Sequence, residues 1–364
     1  MIELNFLGPA QVLADGRPIT AQLDKKELAL LAYLAAQRGE VSRDRIAELL
    51  WGDKEDQRAR QNLRQALTNI KKLLPGAIDG QGHHVLALGR AAEPHTDLRQ
   101  FDDLLRRGDL TGACALYRGP LLDGLGLRNA DGFEEWLGER RAYYEHRVLD
   151  ALSTLLVETQ RRGDNTALER HARQMLAVNP LKERATRALM LALGRQGHYN
   201  AALEVYSACA TTLQRELGVA PSAETMATHE RILLARAAPR RALLFKGTVF
   251  VGRERELAEA STRLAQPDCR LLTLLGPGGV GKTRLAVELA RRTREAFLHG
   301  VCYVPLESYS AGASEEDLWA AVAGALALPI SSGSIRSQSS SFCGLVNCSS
   351  CWTTLNFSRP SLAA

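Results

Sequence analysis

Two stretches of the 364-residue chain combine residue types and spacings that can do chemistry. The first is Gly276-Pro277-Gly278-Gly279-Val280-Gly281-Lys282-Thr283, which fits G-x-x-x-x-G-K-[ST]. A glycine-rich turn of this spacing lets backbone N–H groups converge on phosphate oxygens, while the lysine reaches the outer phosphates and the threonine hydroxyl holds magnesium. The expected nucleotide contacts are Gly276, Gly278, Gly279, Val280, Gly281, Lys282 and Thr283, and the implied cofactor is ATP or ADP with magnesium. The second stretch is QRARQNLRQALTNIKKLL, residues 57–74. Leu63, Ala66, Leu67, Ile70, Leu73 and Leu74 share one stripe of a helix. The other side carries Arg58, Gln61, Gln65, Thr68 and Lys72, flanked by Arg60, Arg64, Asn69 and Lys71, with no acid among them. Such side chains pair with base edges in a major groove and with the phosphates beside it. A merely solvated helix face usually interleaves acids, as GDKED just upstream does. Arg58, Arg60, Gln61, Arg64, Gln65, Thr68, Asn69 and Lys72 are therefore the expected contacts to double-stranded DNA.

The elements that must position these residues are legible around them. Residues 2–20 are short apolar segments broken by Gly8-Pro9 and Asp15-Gly16, the pattern of a small antiparallel sheet with a tight hairpin. Asp24 is placed to cap a helix that Gly39 should end, and Ser42 to start a second. After the cationic helix, Pro75-Gly76 and Asp79-Gly80 bracket short segments that suit a hairpin wing, in which His83 and His84 are ordinary residues rather than metal ligands. From Thr96 to about Leu234 the pattern is amphipathic helix. Gly163 and Gly197 lie 34 residues apart, as do Ala167 and Ala201, which is the period of tetratricopeptide helix pairs. Phe133, Trp136, Tyr143 and Tyr144 are expected in the core. Leu271 to Leu275 read as a buried strand before the glycine-rich turn, with a further strand over 300–306 and a helix over 314–328.

Composition bounds the rest. Apolar residues make up 45% and charged residues 24%, which suits globular domains and excludes a wholly disordered or collagen-like chain. Seven cysteines without a framework of spacings fit a reducing compartment. No long apolar run or signal-like amino terminus occurs, so a cytoplasmic, nucleoid-associated protein without membrane contact is expected. The net charge of +5 says little until it is located on the cationic helix.

Serine occurs 8 times in residues 1–330 and 11 times in residues 331–364. Cys348-Ser-Ser-Cys351 in that tail could be half a zinc site, but no histidine follows His299, so no metal is expected beyond magnesium held through Thr283. The segment NCSSCWTTLN can be encoded so that reading from the third base gives LLLVLDNFE, a buried strand ending in the aspartate a nucleotide hydrolase needs downstream. The tail at 331–364 is accordingly expected to be out-of-frame and disordered. Without an in-frame acid of this kind hydrolysis is not expected. No catalytic residue is assigned, and the chain is not read as an enzyme.

Sheet, three helices and a terminal hairpin in that order resemble the OmpR-type winged helix, whose third helix is the recognition helix. TDLRQFDDLL, LYRGPLLDGL, FEEWLGERR, NPLKERATRALMLAL and LQRELGVAPSAET look like successive blocks of the bacterial transcriptional activator domain (BTAD). Behind a winged helix they resemble the SARP (Streptomyces antibiotic regulatory protein) family, in particular its larger AfsR-like members. Val251-Gly252-Arg253-Glu254 resembles the adenine-side motif of STAND/NB-ARC ATPases, which adds Val251, Gly252 and Arg253 to the nucleotide contacts. The resemblance implies a multidomain, mainly α architecture. Its parts are a winged helix at 1–93, a tetratricopeptide-like activator domain at 96–236, a linker at 237–246 and a partial P-loop domain of α/β type at 247–330. It further implies an activator that binds promoter direct repeats, self-associates there, contacts RNA polymerase and serves secondary-metabolite genes. The partial P-loop domain is expected to bind nucleotide weakly or not at all and to leave the activator unregulated. No receiver domain precedes Met1, so a phosphorylated aspartate is not the expected input. The rival readings are an ATP-dependent STAND-type switch and a tetratricopeptide-like adaptor for peptides.

Overall fold

The computed structural model describes residues 1–37, 39–80, 84–92, 95–237, 250–264, 266, 269, 272–294, 297, 301, 303, 304 and 314–325. The chain divides into two compact units, Met1–Leu155 and Leu156–Ala364. The architecture is mainly α-helical, with a small winged-helix-like sheet region at the amino end and tetratricopeptide-like helical repeats behind it. Among the described residues no helix is long and apolar enough to cross a membrane.

The first unit opens with an antiparallel sheet of β1 (Ile2–Asn5), β2 (Gln11–Ala14) and β3 (Arg17–Pro18), in the order β1-β2-β3. Asp15 and Gly16 turn the chain between β2 and β3 at φ 50° and 74°, the left-handed pair that a two-residue Asp-Gly hairpin needs. Helix α1 (Lys25–Ala36) begins where expected: the Glu27 N–H donates to Asp24 Oδ1 at 2.8 Å and the Asp24 N–H to Glu27 Oε2 at 2.9 Å, a reciprocal capping box. It ends before Gly39, with Gln37 extended. Strand β4 (Val41–Ser42) leads into α2 (Arg43–Trp51), capped by Ser42, whose Oγ accepts from the Arg45 N–H. Helix α3 (Asp56–Leu73) follows, then β5 (Ile78–Asp79) and β6 (Val85–Leu88). These strands form a second antiparallel sheet in the order β4-β6-β5, so the expected wing is present, and His84 within it is exposed. His83 lies outside the described residues. Gly89 is required where the wing closes, because a Cβ there would meet the Gly76 carbonyl oxygen at 2.0 Å.

The same unit contains α4 (Asp97–Arg106), α5 (Leu110–Leu116) and most of α6 (Asp131–Arg162). These helices are tied to the amino-terminal sheet across the sequence junction between 1–93 and 96–236. The Arg118 N–H donates to the Leu7 carbonyl at 3.0 Å and the Leu122 N–H to that of Phe6 at 2.9 Å, while the Leu7 N–H donates to Asp97 Oδ2 at 2.7 Å. Leu122 is buried at φ 51°, a strained setting for a bulky residue. Arg141 of α6 fastens this loop: its guanidinium donates to the carbonyls of Leu121, Leu122 and Leu125 at 2.8, 2.9 and 3.3 Å. Phe133 and Tyr144 are buried as expected, and Trp136 packs on Tyr33 at 4.9 Å between ring centroids. Tyr143 departs from the expected core: its ring is exposed, flanked by the Arg140 and Arg147 guanidiniums at 5.8 Å each. Two cations over one ring favour the wet side of the helix.

In the second unit α7 (Asn165–Val178), α8 (Glu183–Gln196), α9 (Tyr199–Leu217) and α10 (Ala223–Ala237) pack in succession. Gly163 and Gly197, the pair that set the repeat, both sit in interhelix turns at φ 70° and 88°. Each marks the same left-handed bend of a helix pair. Farther on, α11 (Glu254–Leu264) and α12 (Lys282–Thr293) bury Leu257 and Ala260 against Leu285 and Leu289. Helix α13 covers Glu315–Ala325 of the helix expected over 314–328. The strand expected at 271–275 is corrected: Leu272 to Leu275 form no strand and Leu275 is 79% exposed. Among the described residues no second strand offers it a hydrogen-bonding ladder, and an apolar run without one has no reason to stay extended and buried. Of the strand expected at 300–306, Val301, Tyr303 and Val304 are described and are not in a strand. The rest of it, most of the linker and the whole tail at 331–364 lie outside the described residues.

Candidate nucleic-acid interface

Helix α3 is held from below and free above. Its 18 residues span about 27 Å at ~1.5 Å per residue. Ala59, Leu63, Ala66, Leu67 and Ile70 are buried, with Leu74 just beyond the helix end. Leu73, expected in that stripe, is only half-buried. Arg58, Arg60, Gln61, Arg64, Gln65, Thr68 and Lys72 are all exposed, as is Lys71. The helix carries five cations and one acid, Asp56, in its first turn, while Lys71 and Lys72 occupy its last. That distribution complements the helix dipole and leaves the central face purely cationic and amide-bearing. Arg60 Nε donates to Asp44 Oδ1 of α2 at 2.8 Å, but both side chains are more than half exposed. Such a pair is worth ~1 kcal/mol or less and yields readily to a phosphate.

Asn69 is the exception among the expected contacts. It is half-buried, and its Nδ2 donates to Glu27 Oε1 at 2.8 Å and Oε2 at 2.9 Å. Glu27 is only 4% exposed. One carboxylate thus caps α1 and, through Asn69, ties α3 to it. A second tie runs through Lys26, whose Nζ donates to the Leu50 carbonyl at 2.5 Å and lies 5.2 Å from the Trp51 ring centre. Burial pulls its pKa below the ordinary lysine value. The wing is fixed to α2 by the Arg43 N–H, which donates to the His84 carbonyl at 2.9 Å.

The glycine-rich turn has part of the geometry its sequence implies. Gly279 and Gly281 are left-handed at φ 75° and 86°, Gly281 caps α12, and an added Cβ at Gly278, Gly279 or Gly281 would meet nothing within 4 Å. Lys282 Nζ donates to the carbonyls of Gly276 and Pro277, both at 2.9 Å. Val280 is exposed and Thr283 half-buried. Val251, Gly252 and Arg253 are exposed, and the residue after them, Glu254, pairs with Arg292 at 2.6 Å. Arg292 stands ten residues beyond Lys282, about 15 Å along α12. The end of the adenine-side segment is thus tied to the last turn of α12, while Phe250 before it packs on the same cluster as Leu272 and Leu274.

Residues 83–233 match the family described as Bacterial transcriptional activator domain. The regulatory protein AfsR of Streptomyces coelicolor is 29% identical over 359 residues, covering 87% of this chain and 35% of AfsR. The transcriptional regulator RedD of the same organism is 28% identical over 261 residues, covering 64% of this chain and 70% of RedD. The chain is thus similar to SARP-type regulators, and it spans about a third of the length of the AfsR relatives it matches. A solved structure of Mycobacterium tuberculosis EmbR in complex with a low affinity phosphopeptide is similar at a TM-score of 0.45 and 21% identity, covering 74% of this chain and 72% of that one.

The exposed cation of α3 that sequence reasoning left off its list of expected contacts is Lys71, beside Lys72. Its signal was present, since it continues the cationic run. Glu27 gave no such signal, because it meets α3 across 42 positions of sequence.

Proposed function

We propose that this chain is a DNA-binding transcriptional activator that lays α3 in the major groove and sets the β5–β6 wing beside it. The observation that carries the reading is the exposed, acid-free face of Arg58, Gln61, Arg64, Gln65, Thr68 and Lys72 over a buried apolar stripe. Arg and Gln there can reach base edges, and Lys and Arg at the rims can hold phosphates. The names of AfsR and RedD support a regulatory role. The family resemblance extends the reading to promoter direct repeats, self-association, polymerase contact and genes of antibiotic biosynthesis. A footprint of the purified chain on promoters neighbouring its gene tests it: protected repeats at spaced intervals are expected. Equal affinity for those promoters and for random duplex would remove the proposal.

We also propose that the 276–283 turn is a phosphate cradle with weak nucleotide affinity. Its left-handed glycines and the amino end of α12 support a cradle, and the exposure of Leu275 and of residues 251–253 supports weakness. Micromolar ATP affinity with measurable turnover would overturn this.

A further inference from the structure

The second unit holds a half-open cavity of about 400 Å³ between the end of α6, α8 and α10. Its floor is apolar, from Leu156, Val157, Ala188 and Leu191, and its walls bring in Arg184, Arg187 and Arg231. The sequence dictates the convergence: Arg184 and Arg187 are one turn apart on α8, while Glu224, Thr228 and Arg231 stack on one face of α10. Glu224 is the one carboxylate in this wall. It pairs with Arg187 at 2.8 Å from a largely exposed position, 76% open to solvent. The nearby Glu183 is engaged elsewhere, accepting from the Ser222 N–H at 2.8 Å and Oγ at 2.7 Å. Three guanidiniums therefore face one acid.

Arg231 makes the imbalance consequential. Its Nε is buried without a hydrogen-bond partner. Burial lowers its pKa from the ordinary arginine value, and the same burial together with the Arg231 charge lowers that of Arg195 behind it. A buried guanidinium without a counter-charge beside a walled space is costly, and an anion in that space would offset its charge. A volume of this size with an apolar floor and a few convergent polar groups suits a small ligand. We infer that this cavity binds a small organic anion, an apolar skeleton bearing a carboxylate or a phosphate monoester. The apolar part rests on the Leu156–Leu191 floor, and the head group sits between Arg184, Arg187 and Arg231. The assignment stands independently of DNA binding by α3.

Calorimetric titration of the full chain with 1-naphthoate and 1-naphthyl phosphate, against neutral 1-naphthalenemethanol, tests it. Saturable binding of at least one anion, absent for the alcohol, is expected; which anion binds more tightly identifies the head group. Loss of a charge-assisted contact is worth about tenfold in affinity, so Arg231→Met should weaken binding by about that factor. The exposed Arg184→Ala variant should weaken it in the same direction without threatening the fold. Glu224→Gln should tighten it by a few-fold, which a merely structural role would not produce. No saturable binding of either anion, equal binding of the alcohol, or affinities untouched by all three substitutions would overturn the assignment. So would capture of a glutamate-rich peptide when neither naphthyl anion binds.

Discussion

Replacing Asn69 by Ala separates positioning from recognition. In the folded chain Asn69 Nδ2 serves both oxygens of a carboxylate that is 4% exposed, and the substitution leaves Glu27 with only the Asp24 N–H among its observed donors. Hydrogen bonds to charged groups contribute about 1.5–3 kcal/mol net when buried. That loss falls on the contact between α1 and α3, so the free energy of opening those helices should drop by the same amount. Hydrogen exchange followed by mass spectrometry reads this locally. Amides in residues 25–36 and 56–73 should exchange roughly 10–100-fold faster, while those of α8 and α9 stay unchanged. DNA affinity should fall only as far as the helix loosens. The opposite pattern, unchanged protection of both helices with a sharp loss of DNA affinity, would refute the reasoning and return Asn69 to the groove.

Arg64→Ala and Lys72→Ala should each weaken promoter binding and, where a phosphate contact is lost, reduce the slope of log K against log salt by about 0.9, as read by fluorescence anisotropy across a salt series. Burial raises the Asp97 carboxyl above its ordinary pKa despite the Leu7 N–H and Arg118 beside it. The folded state then binds the proton more tightly than the unfolded state, so wild-type stability should fall as pH rises from about 4 through the raised value. Asp97→Asn, which keeps an acceptor for Leu7, should flatten that part of a urea-midpoint profile; an unchanged slope would count against it. Burial pushes the Cys114 thiol up to about 12, so iodoacetamide at mild pH should label Cys114 only after denaturation, as mass spectrometry would show.

Local signals carried well from sequence to structure. Asp24 and Ser42 start helices because a side-chain oxygen can answer their first free N–H groups, and that chemistry is complete within four residues. The stripe of α3 and the 34-residue spacing of Gly163 and Gly197 are equally local. What sequence could not show depends on partners far along the chain. Asn69 looked like its neighbours Thr68 and Lys72 until Glu27 came to meet it. Leu271 to Leu275 read as a strand on apolar run length alone, but strand formation needs a neighbour that composition does not supply. The backbone ties of residues 6–8 to residues 118–123 are equally non-local, joining groups more than a hundred positions apart.

Arg141 has a consequence for how this molecule can drift. Three carbonyls of the 121–125 loop converge on one planar ion, and the one it shares with the Leu125 amide belongs to a leucine twisted into a conformation that costs of order 1–3 kcal/mol. A lysine is a point charge and could serve these acceptors only poorly. The shape of the loop that the amino-terminal segment pairs with is thereby held in large part by a single codon. Descendants that lose it would be relieved most simply by a glycine in place of the twisted leucine.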